Sequence, residues 1–351
     1  MNQRLGSLAY GTALALAIGW VLHIGAPVVL PIVFSILVVY VIVGTSRLVS
    51  RIPGLGPRLP ASVQYTLAFL LIALAFTATF WLVVVNLGRL LELAPAYQAT
   101  LLAVIQDVAA RVGIESQPTW ATLRQDYLAH VSPQRLLTAA AATVSSVASG
   151  LVVGVLYVAF LLLELRAVPR KLANLSDDPA AVAQVEKVLT RVNDRIGTYL
   201  ALKTMVCVLT GFVSWLVMAG LGLELAAFWA VLIALVNYVP YIGSFLGVVV
   251  PASFGLLQFG LGSELLLLLV LLAAAQLLIG NVLDPYLMAN SLNLSAFAIL
   301  ASLATWSALW GISGAFLAVP LTACIAMVLA EFRGTRPIAV LLSKTGQVDE
   351  E

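Results

Sequence analysis

A polar, helix-breaking stretch divides a long apolar run in the C-terminal half of the chain. Residues 225–263 carry no charge, and the motif Asn237-Tyr-Val-Pro-Tyr-Ile-Gly243 lies near their middle. Pro240 removes a backbone donor and Gly243 adds conformational freedom, so a helix is expected to break here. Backbone freed in this way must be buried in protein or border a water-filled cavity, and transporters place substrates at such breaks. The candidate contacts of a solute at the break are Asn237, Tyr238, Pro240, Tyr241 and Gly243.

These groups suit a neutral, hydroxyl-rich solute or a partly dehydrated cation, because amides and phenols both donate and accept hydrogen bonds. The alternative is a structural proline kink whose polar groups are satisfied within the protein. The sequence leaves both interpretations open. It also does not distinguish a kink from a re-entrant hairpin, either at 237–251 or at 306–320.

A carboxylate marks a second candidate site. Asn281 and Asp284 are three residues apart, so in an α-helix they share a face, and a helix tends to end before Pro285. Gln276 is a further polar group within the same span. If Asp284 faces a cavity, it is the preferred proton- or cation-linked group. Glu264 and Asp284 bracket an apolar run, so both could instead lie at the membrane faces. Glu264 and Glu224 are the other two carboxylates considered for ion coupling.

A third interruption, Gly311-Ile-Ser-Gly314, imitates a motif of intramembrane serine proteases. That chemistry needs a histidine close to the serine. His23 and His130 both precede the motif by a long stretch of chain, so a protease is not expected. The two glycines are interpreted as a close helix crossing or a hairpin, and they are included among the residues of the pathway.

The elements that must position these groups are membrane-spanning helices. The 351 residues are 62% hydrophobic and 10% charged, with a net charge of +2, whereas a soluble domain carries roughly 25% charged residues. The sequence has no basic block that would indicate nucleic-acid binding. It also has no phosphate-binding loop that would indicate ATP hydrolysis. Cys207 and Cys324 lack the spacing of a disulfide framework or a metal site. We therefore expect a non-enzymatic, all-α polytopic membrane protein with no cofactor or metal.

Charge-free intervals predict about eight transmembrane helices, with broken or re-entrant helices in the C-terminal half. The predicted segments are 1–88 with spans one to three, 89–135 as an external amphipathic segment, 136–163 as span four, 164–203 as a cytoplasmic amphipathic helix, 204–332 with spans five to eight as the transport core, and 333–351 as the cytoplasmic tail. The cytoplasmic helix is predicted to start with Asp178 as its N-cap and Pro179 at its first position. The arginine-rich stretch 47–58 and the basic tail place both termini in the cytoplasm. No lysine or arginine occurs from Thr204 to Phe332, so a solute there is expected to meet only carboxylates, hydroxyls, amides and carbonyls.

Three motifs in this half carry a resemblance to a known family. They are Asn237–Gly243 followed by Pro251, Gly280–Pro285 followed by Ser291–Leu294, and Gly311–Pro320. In this order they resemble the autoinducer-2 exporter family, or PerM-like permeases. The resemblance implies an inner-membrane transporter of about eight spans that exports autoinducer-2 or exchanges a cation for protons. Members often carry a histidine and a proline where this chain has Ser295 and Ala296, so selectivity is expected to differ if that position contacts solute.

We therefore expect a secondary transporter that exports a small polar solute similar to autoinducer-2 and draws on an ion gradient. A monovalent cation/proton antiporter is the alternative within the family, and a passive channel or scaffold is the alternative outside it. The expected partners are the lipid bilayer, the solute or cation, and further copies of the chain, because the amphipathic segments and glycine faces exceed what one bundle needs. Spans six, seven and eight are expected to form the pathway.

Overall fold

The computed structural model describes residues 2–50, 59–112, 150, 152–165, 167–174, 176–288, 292–332 and 334–347. The helices are α1 (Asn2–Ile24), α2 (Ala26–Ser50), α3 (Ala61–Val112), α4 (Val152–Glu164), α5 (Val168–Ala173), α6 (Pro179–Gly220), α7 (Ala226–Val236), α8 (Ile242–Phe259), α9 (Ser263–Gln276), α10 (Asp284–Met288), α11 (Ala296–Glu331) and α12 (Arg336–Leu342), with a π-helical segment at Leu277–Leu283. Predictions for 51–58, 113–149 and 348–351 lie outside the described residues.

The helices confirm a polytopic all-α membrane protein. By length and composition, six helical stretches within the described residues could cross a membrane, and they lie in α2, α3, α6, α8, α9 to α10, and α11. Three shorter apolar stretches, Tyr10–Ile24, Val152–Glu164 and Ala226–Val236, belong to predicted spans one, four and six.

Two helices continue through the boundaries that charge had indicated. Helix α3 has 52 residues and passes residue 88, while α6 has 42 residues and passes residue 203. Arg89 and Glu92 are exposed on α3, where charged side chains reach outward without interrupting the backbone. Helix α6 starts as predicted: Pro179 is its first residue, and Asp178 Oδ1 accepts a hydrogen bond from Ala180 N at 2.9 Å.

The chain divides into two compact units, each with its own apolar core. The first unit comprises Met1–Ala68, Gly150–Ala201 and Met288–Glu351, and the second comprises Phe69–Ser149 and Leu202–Leu287. The core of the first includes Ile196, Tyr199, Leu200, Leu294, Val319 and Ala323. The core of the second includes Met218, Phe228, Trp229, Phe254, Leu268 and Leu272.

In the second unit, the break at 237–241 folds α8 back along α7. A Cβ added to Gly247 would lie 3.4 Å from Ile233 Cγ2. If α7 and α8 formed one straight helix, these positions would be about 21 Å apart at ~1.5 Å per residue. Predicted span six is therefore a helical hairpin of 11 and 18 residues, joined by a short tip, and not a kinked rod.

In the first unit, α11 reverses at Gly311 in a comparable way. Gly311 has φ 61° and ψ −139°, outside helical values. Trp306 Nε1 donates a hydrogen bond to Thr322 Oγ1 at 3.0 Å, although a straight helix would separate the two residues by about 24 Å. The segments 296–310 and 312–331 thus form a second hairpin. Gly314 is required close to the reversal because a Cβ there would overlap the Trp306 carbonyl.

The end of α1 caps this reversal. Trp310 Nε1 donates to the Leu22 carbonyl at 2.9 Å, and His23 Nδ1 donates to the Leu309 carbonyl at 2.8 Å. Both carbonyls lie where a helix ends or reverses, so each side chain supplies a hydrogen bond at a helix boundary. His23 therefore has a structural partner, and in the neutral ring its proton is on Nδ1.

Candidate functional site

One face of α6 in the second unit carries buried polar groups. Lys203, Cys207, Thr210 and Ser214 follow at intervals of four, three and four residues, which places them on a single helix face, and all four are buried. This face and the adjacent Thr204 bind groups from the hairpin tip and from α10. The three pairs Lys203–Asp284, Thr204–Tyr238 and Thr210–Asn237 are called the polar seam here.

The first pair of the seam is an ion pair between distant parts of the chain. Lys203 Nζ donates to Asp284 Oδ2 at 2.8 Å, and the exposed fractions of the two side chains are 4% and 19%. The expectation that this half offers a solute no cation was therefore wrong. It treated Thr204 as the start of the embedded segment, whereas the continuous helix α6 carries the Lys203 ammonium into the protein one residue earlier.

Asp284 is positioned by an unusual helix. Leu277–Leu283 form a π-helix, a rare form that is frequent at functional sites, and its i→i+5 bonding changes which residues share a face. Asn281 is consequently exposed while Asp284 is half-buried, so the shared face predicted for them is not observed. The predicted helix end at Pro285 is also wrong, because Pro285 occupies the first turn of α10, where a missing N–H is tolerated.

The hairpin tip supplies the other two pairs. Tyr238 Oη donates to Thr204 Oγ1 at 2.7 Å, and Asn237 Nδ2 donates to Thr210 Oγ1 at 3.3 Å. Asn237 is buried. The tip forms at this point because Pro240 has no N–H to continue α7. The seam therefore ties the broken backbone to α6 through neutral hydroxyl and amide groups.

The turn that closes the tip is strained at Tyr241. Its backbone has φ 63° and ψ −52°, and Ile242 N donates to the Pro240 carbonyl at 2.7 Å, which together define a γ-turn with positive φ. Such a conformation costs a non-glycine residue about 1–3 kcal/mol. The Tyr241 side chain is 55% exposed, so the structure does not bring its phenol into the seam.

Gln276 lies outside the seam and is as buried as Asn237. Its exposed fraction is 4%, and neither Nε2 nor Oε1 has a hydrogen-bond partner among the described residues. The buried Oδ1 atom of Asp284 likewise has no hydrogen-bond partner among the described residues. The second unit thus contains buried polar atoms that have no hydrogen-bond partner among the described residues.

The remaining predicted residues lie elsewhere. Glu264 is exposed in the first turn of α9, and Glu224 is exposed between α6 and α7. Gly311 and Gly314 belong to the first unit, at the reversal of α11. Although His23 contacts that reversal, its described hydrogen bond goes to Leu309 and not to Ser313.

Glu224 instead binds the part of α3 that follows the apolar stretch Ser62–Leu90 of this helix. Tyr97 Oη donates to Glu224 Oε2, while Gln258 bridges the same turn by accepting from Glu224 N at 2.8 Å and donating to the Gly222 carbonyl at 2.9 Å. Burial, and then the hydrogen bond and negative charge of Glu224, raise the pKa of Tyr97 above its usual value.

Replacing Tyr97 by Phe is expected to lower the free energy of unfolding by about 1 kcal/mol at pH 7. Phe keeps the edge contact with Phe254, whose ring centroid is 4.9 Å away, but loses the donor to Glu224. Because the folded pKa is raised, the hydrogen bond contributes fully below the usual value of 10.0 and is lost as the pH rises through the raised value. Thermal unfolding at pH 7 and pH 11 checks this, and an equal deficit at both would contradict it.

Sequence reasoning missed Lys203, Thr204 and Thr210. A signal was present, since polar or small side chains recur along α6 with helical spacing inside an apolar run. The pairing with Asp284 and the hairpin tip had no such signal, because the partners lie 27 to 81 residues away in the chain.

Residues 11–334 match the family model described as AI-2E family transporter. The AI-2 transport protein TqsA of Escherichia coli strain K12 is 31% identical over 294 residues, which is 82% of each chain. YhhT of the same strain, named as a candidate transport protein, is 29% identical over 291 residues, 82% of this chain and 80% of YhhT. A candidate transport protein of Haemophilus influenzae is 26% identical over 347 residues, 97% of each chain. All three relatives are named for transport.

Proposed function

Because this chain belongs to the AI-2E transporter family, we propose that it is a secondary transporter that exports a small, neutral, hydroxyl-rich solute across the bacterial inner membrane. The observation that carries the proposal is the polar seam, in which three neutral hydroxyl groups and one amide lie along α6 together with a matched ion pair. Autoinducer-2 is the first solute to test, since the relative TqsA is named for its transport.

The charge of the seam favours a neutral solute over a cation. Lys203 and Asp284 cancel each other, and the other members of the seam are neutral. A cation that approached Asp284 would come close to the Lys203 ammonium group, which lies 2.8 Å from Oδ2 of the carboxylate. Like-charge repulsion from Lys203 opposes that approach. The cation/proton antiporter therefore has less support than the solute exporter.

The same pair offers a link to a proton gradient. A proton on Asp284 removes the charge that holds Lys203, and Lys203 is adjacent on α6 to Thr204, which binds the hairpin tip through Tyr238. We propose that this proximity couples protonation at α10 to the conformation of the tip. The pathway would then include Asn237, Tyr238, Pro240, Gly243, Gln276 and Asp284.

The remaining features of the proposal follow from the sequence. The arginine-rich stretch 47–58 and the basic tail favour cytoplasmic termini. The amphipathic segments and the glycine faces of the chain favour a homo-oligomer. Cysteine labelling of the termini in intact cells and native mass measurement in mild detergent test these two features.

Flux into proteoliposomes tests the function. Purified protein is reconstituted, and entry of autoinducer-2 is compared with entry of radioactive sodium, each with and without a pH gradient. Saturable autoinducer-2 flux that responds to the gradient supports the proposal. Sodium flux in exchange for protons supports the antiporter, non-saturable flux supports a channel, and flux equal to that of empty liposomes contradicts all three.

A further inference from the structure

The buried amide of Gln276 has no explanation in the packing of the fold. A polar side chain placed inside a membrane segment without partners is costly, and each such group in a native structure calls for a reason. Gln276 lies at the end of α9, and both of its amide atoms lack a partner among the described residues. Leucine, valine and alanine make up most of the same helix, so an apolar residue would be compatible with its surroundings.

Two glycines shape the space around this amide. A Cβ on Gly247 of α8 would overlap Gln276 Nε2, so glycine at this position lets α8 approach the amide without displacing it. On the other side, a Cβ on Gly280 would lie 3.2 Å from Ser244 Oγ and 4.0 Å from Gln276 Oε1. The Ser244 hydroxyl and the Gln276 amide oxygen therefore both lie close to the side of Gly280 that carries no side chain.

We infer that Gln276, together with Ser244, is the specificity-determining contact that recognises hydroxyl groups of the transported solute. An amide presents a donor and an acceptor side by side, which matches two neighbouring hydroxyls that each donate and accept. A site built in this way discriminates strongly against analogues that lack the hydroxyls, because the amide is then left unpaired. Contact with solute requires α8 to separate from Gln276, and the strained turn at Tyr241 lies at the end of α8 that would have to move. This inference rests on the proposed solute export.

Replacing Gln276 by Met provides a test with two opposite effects. Met has similar length but no hydrogen-bonding amide, so it removes the uncompensated polar group and is expected to raise the Tm of the solute-free protein in detergent by about 2 °C or more. The same change is expected to raise the KM for autoinducer-2 at least about tenfold in proteoliposomes, since the solute hydroxyls lose their partner. A residue with a merely structural role would not show a higher Tm together with a weaker affinity.

Two further variants sharpen the test. Gly280→Ala places a methyl group against Ser244 Oγ while keeping the Gln276 amide, so it is expected to raise the KM without the gain in Tm. Gln258→Met is the matched control: both of its amide atoms are hydrogen-bonded, to Glu224 N and the Gly222 carbonyl, so the substitution is expected to lower the Tm and leave the KM unchanged.

The outcomes separate this inference from the proposed function. An unchanged or lower Tm for Gln276→Met overturns the inference whatever the solute, because the amide is then satisfied within the folded protein. Autoinducer-2 flux in the wild type with an unchanged KM in Gln276→Met overturns the inference and leaves the exporter intact. No autoinducer-2 flux in the wild type overturns the exporter and the inference together.

Discussion

Asp284→Asn and Lys203→Met, each made alone, are expected to lower the free energy of unfolding by about 3–5 kcal/mol and to abolish gradient-driven flux of autoinducer-2. Each change leaves the partner without its counter-charge in a buried setting, where an unpaired charge costs more than the pair contributes. The Lys203 side chain is only 4% exposed, so water cannot replace the lost carboxylate. Thermal unfolding in detergent and proteoliposome flux measure the two effects.

The double variant Lys203→Met with Asp284→Leu separates stability from coupling. Replacing both charges by apolar groups removes the desolvation cost as well as the attraction, so most of the stability is expected to return. The response of flux to the pH gradient is expected to stay absent. Gradient-dependent flux in the double variant would refute the coupling role of the pair. Arg111→Met is the control, because its pair with Asp107 is exposed and its loss should change stability little.

The positions of the helix breaks could be predicted from the sequence, but the path of the chain after them could not. Pro240 and Gly243 in a charge-free run indicate a break, and Gly311 indicates another. Whether a break becomes a kink or a hairpin depends on tertiary contacts such as that of Ile233 with Gly247, or Trp306 with Thr322. Such contacts join residues 14 or 16 positions apart, beyond the reach of local periodicity.

The partner of Asp284 was missed for a related reason. Charge marks the ends of apolar spans well, and Lys203 was therefore assigned to the cytoplasmic segment. A helix can nevertheless carry a charged residue inward when a partner of opposite charge compensates the cost of burial, and that partner comes from α10, 81 residues further along the chain. A linked role for Asp284 stays a prediction, whereas its pairing with Lys203 depends on a contact between distant segments that the sequence does not reveal.

The π-helical segment explains the remaining difference at this site. Residues three apart share a face in an α-helix, and this rule placed Asn281 beside Asp284. The wider turn of Leu277–Leu283 changes that register, so Asn281 is exposed while Asp284 meets Lys203. A single inserted turn of this kind has no distinct residue signature, yet it decides which polar side chain enters the seam.

Gly243→Ala is expected to eliminate flux even though it adds only one methyl group. A Cβ at this position would lie 2.5 Å from both the Val236 carbonyl oxygen and the Asn237 Cα. These are backbone atoms of the tip, so relief requires the turn itself to shift, and overpacking of this kind typically costs about 1–3 kcal/mol. The shift would pull Asn237 from Thr210, a hydrogen bond of the seam that is already 3.3 Å long.

Pro240→Ala combined with Gly243→Ala is expected to abolish autoinducer-2 flux while membrane insertion is retained, because the apolar length of α7 and α8 is unchanged. Gly88→Ala is the matched control. It lies inside α3 with nothing within 4 Å of an added Cβ, so alanine there should stabilise the helix and preserve flux. Undiminished flux in the double variant, with normal insertion, would show that the geometry of the tip is not required for transport. Loss of flux in Gly88→Ala as well would show that the assay reports general damage. The loss in the double variant would then not support a role of the seam in the pathway.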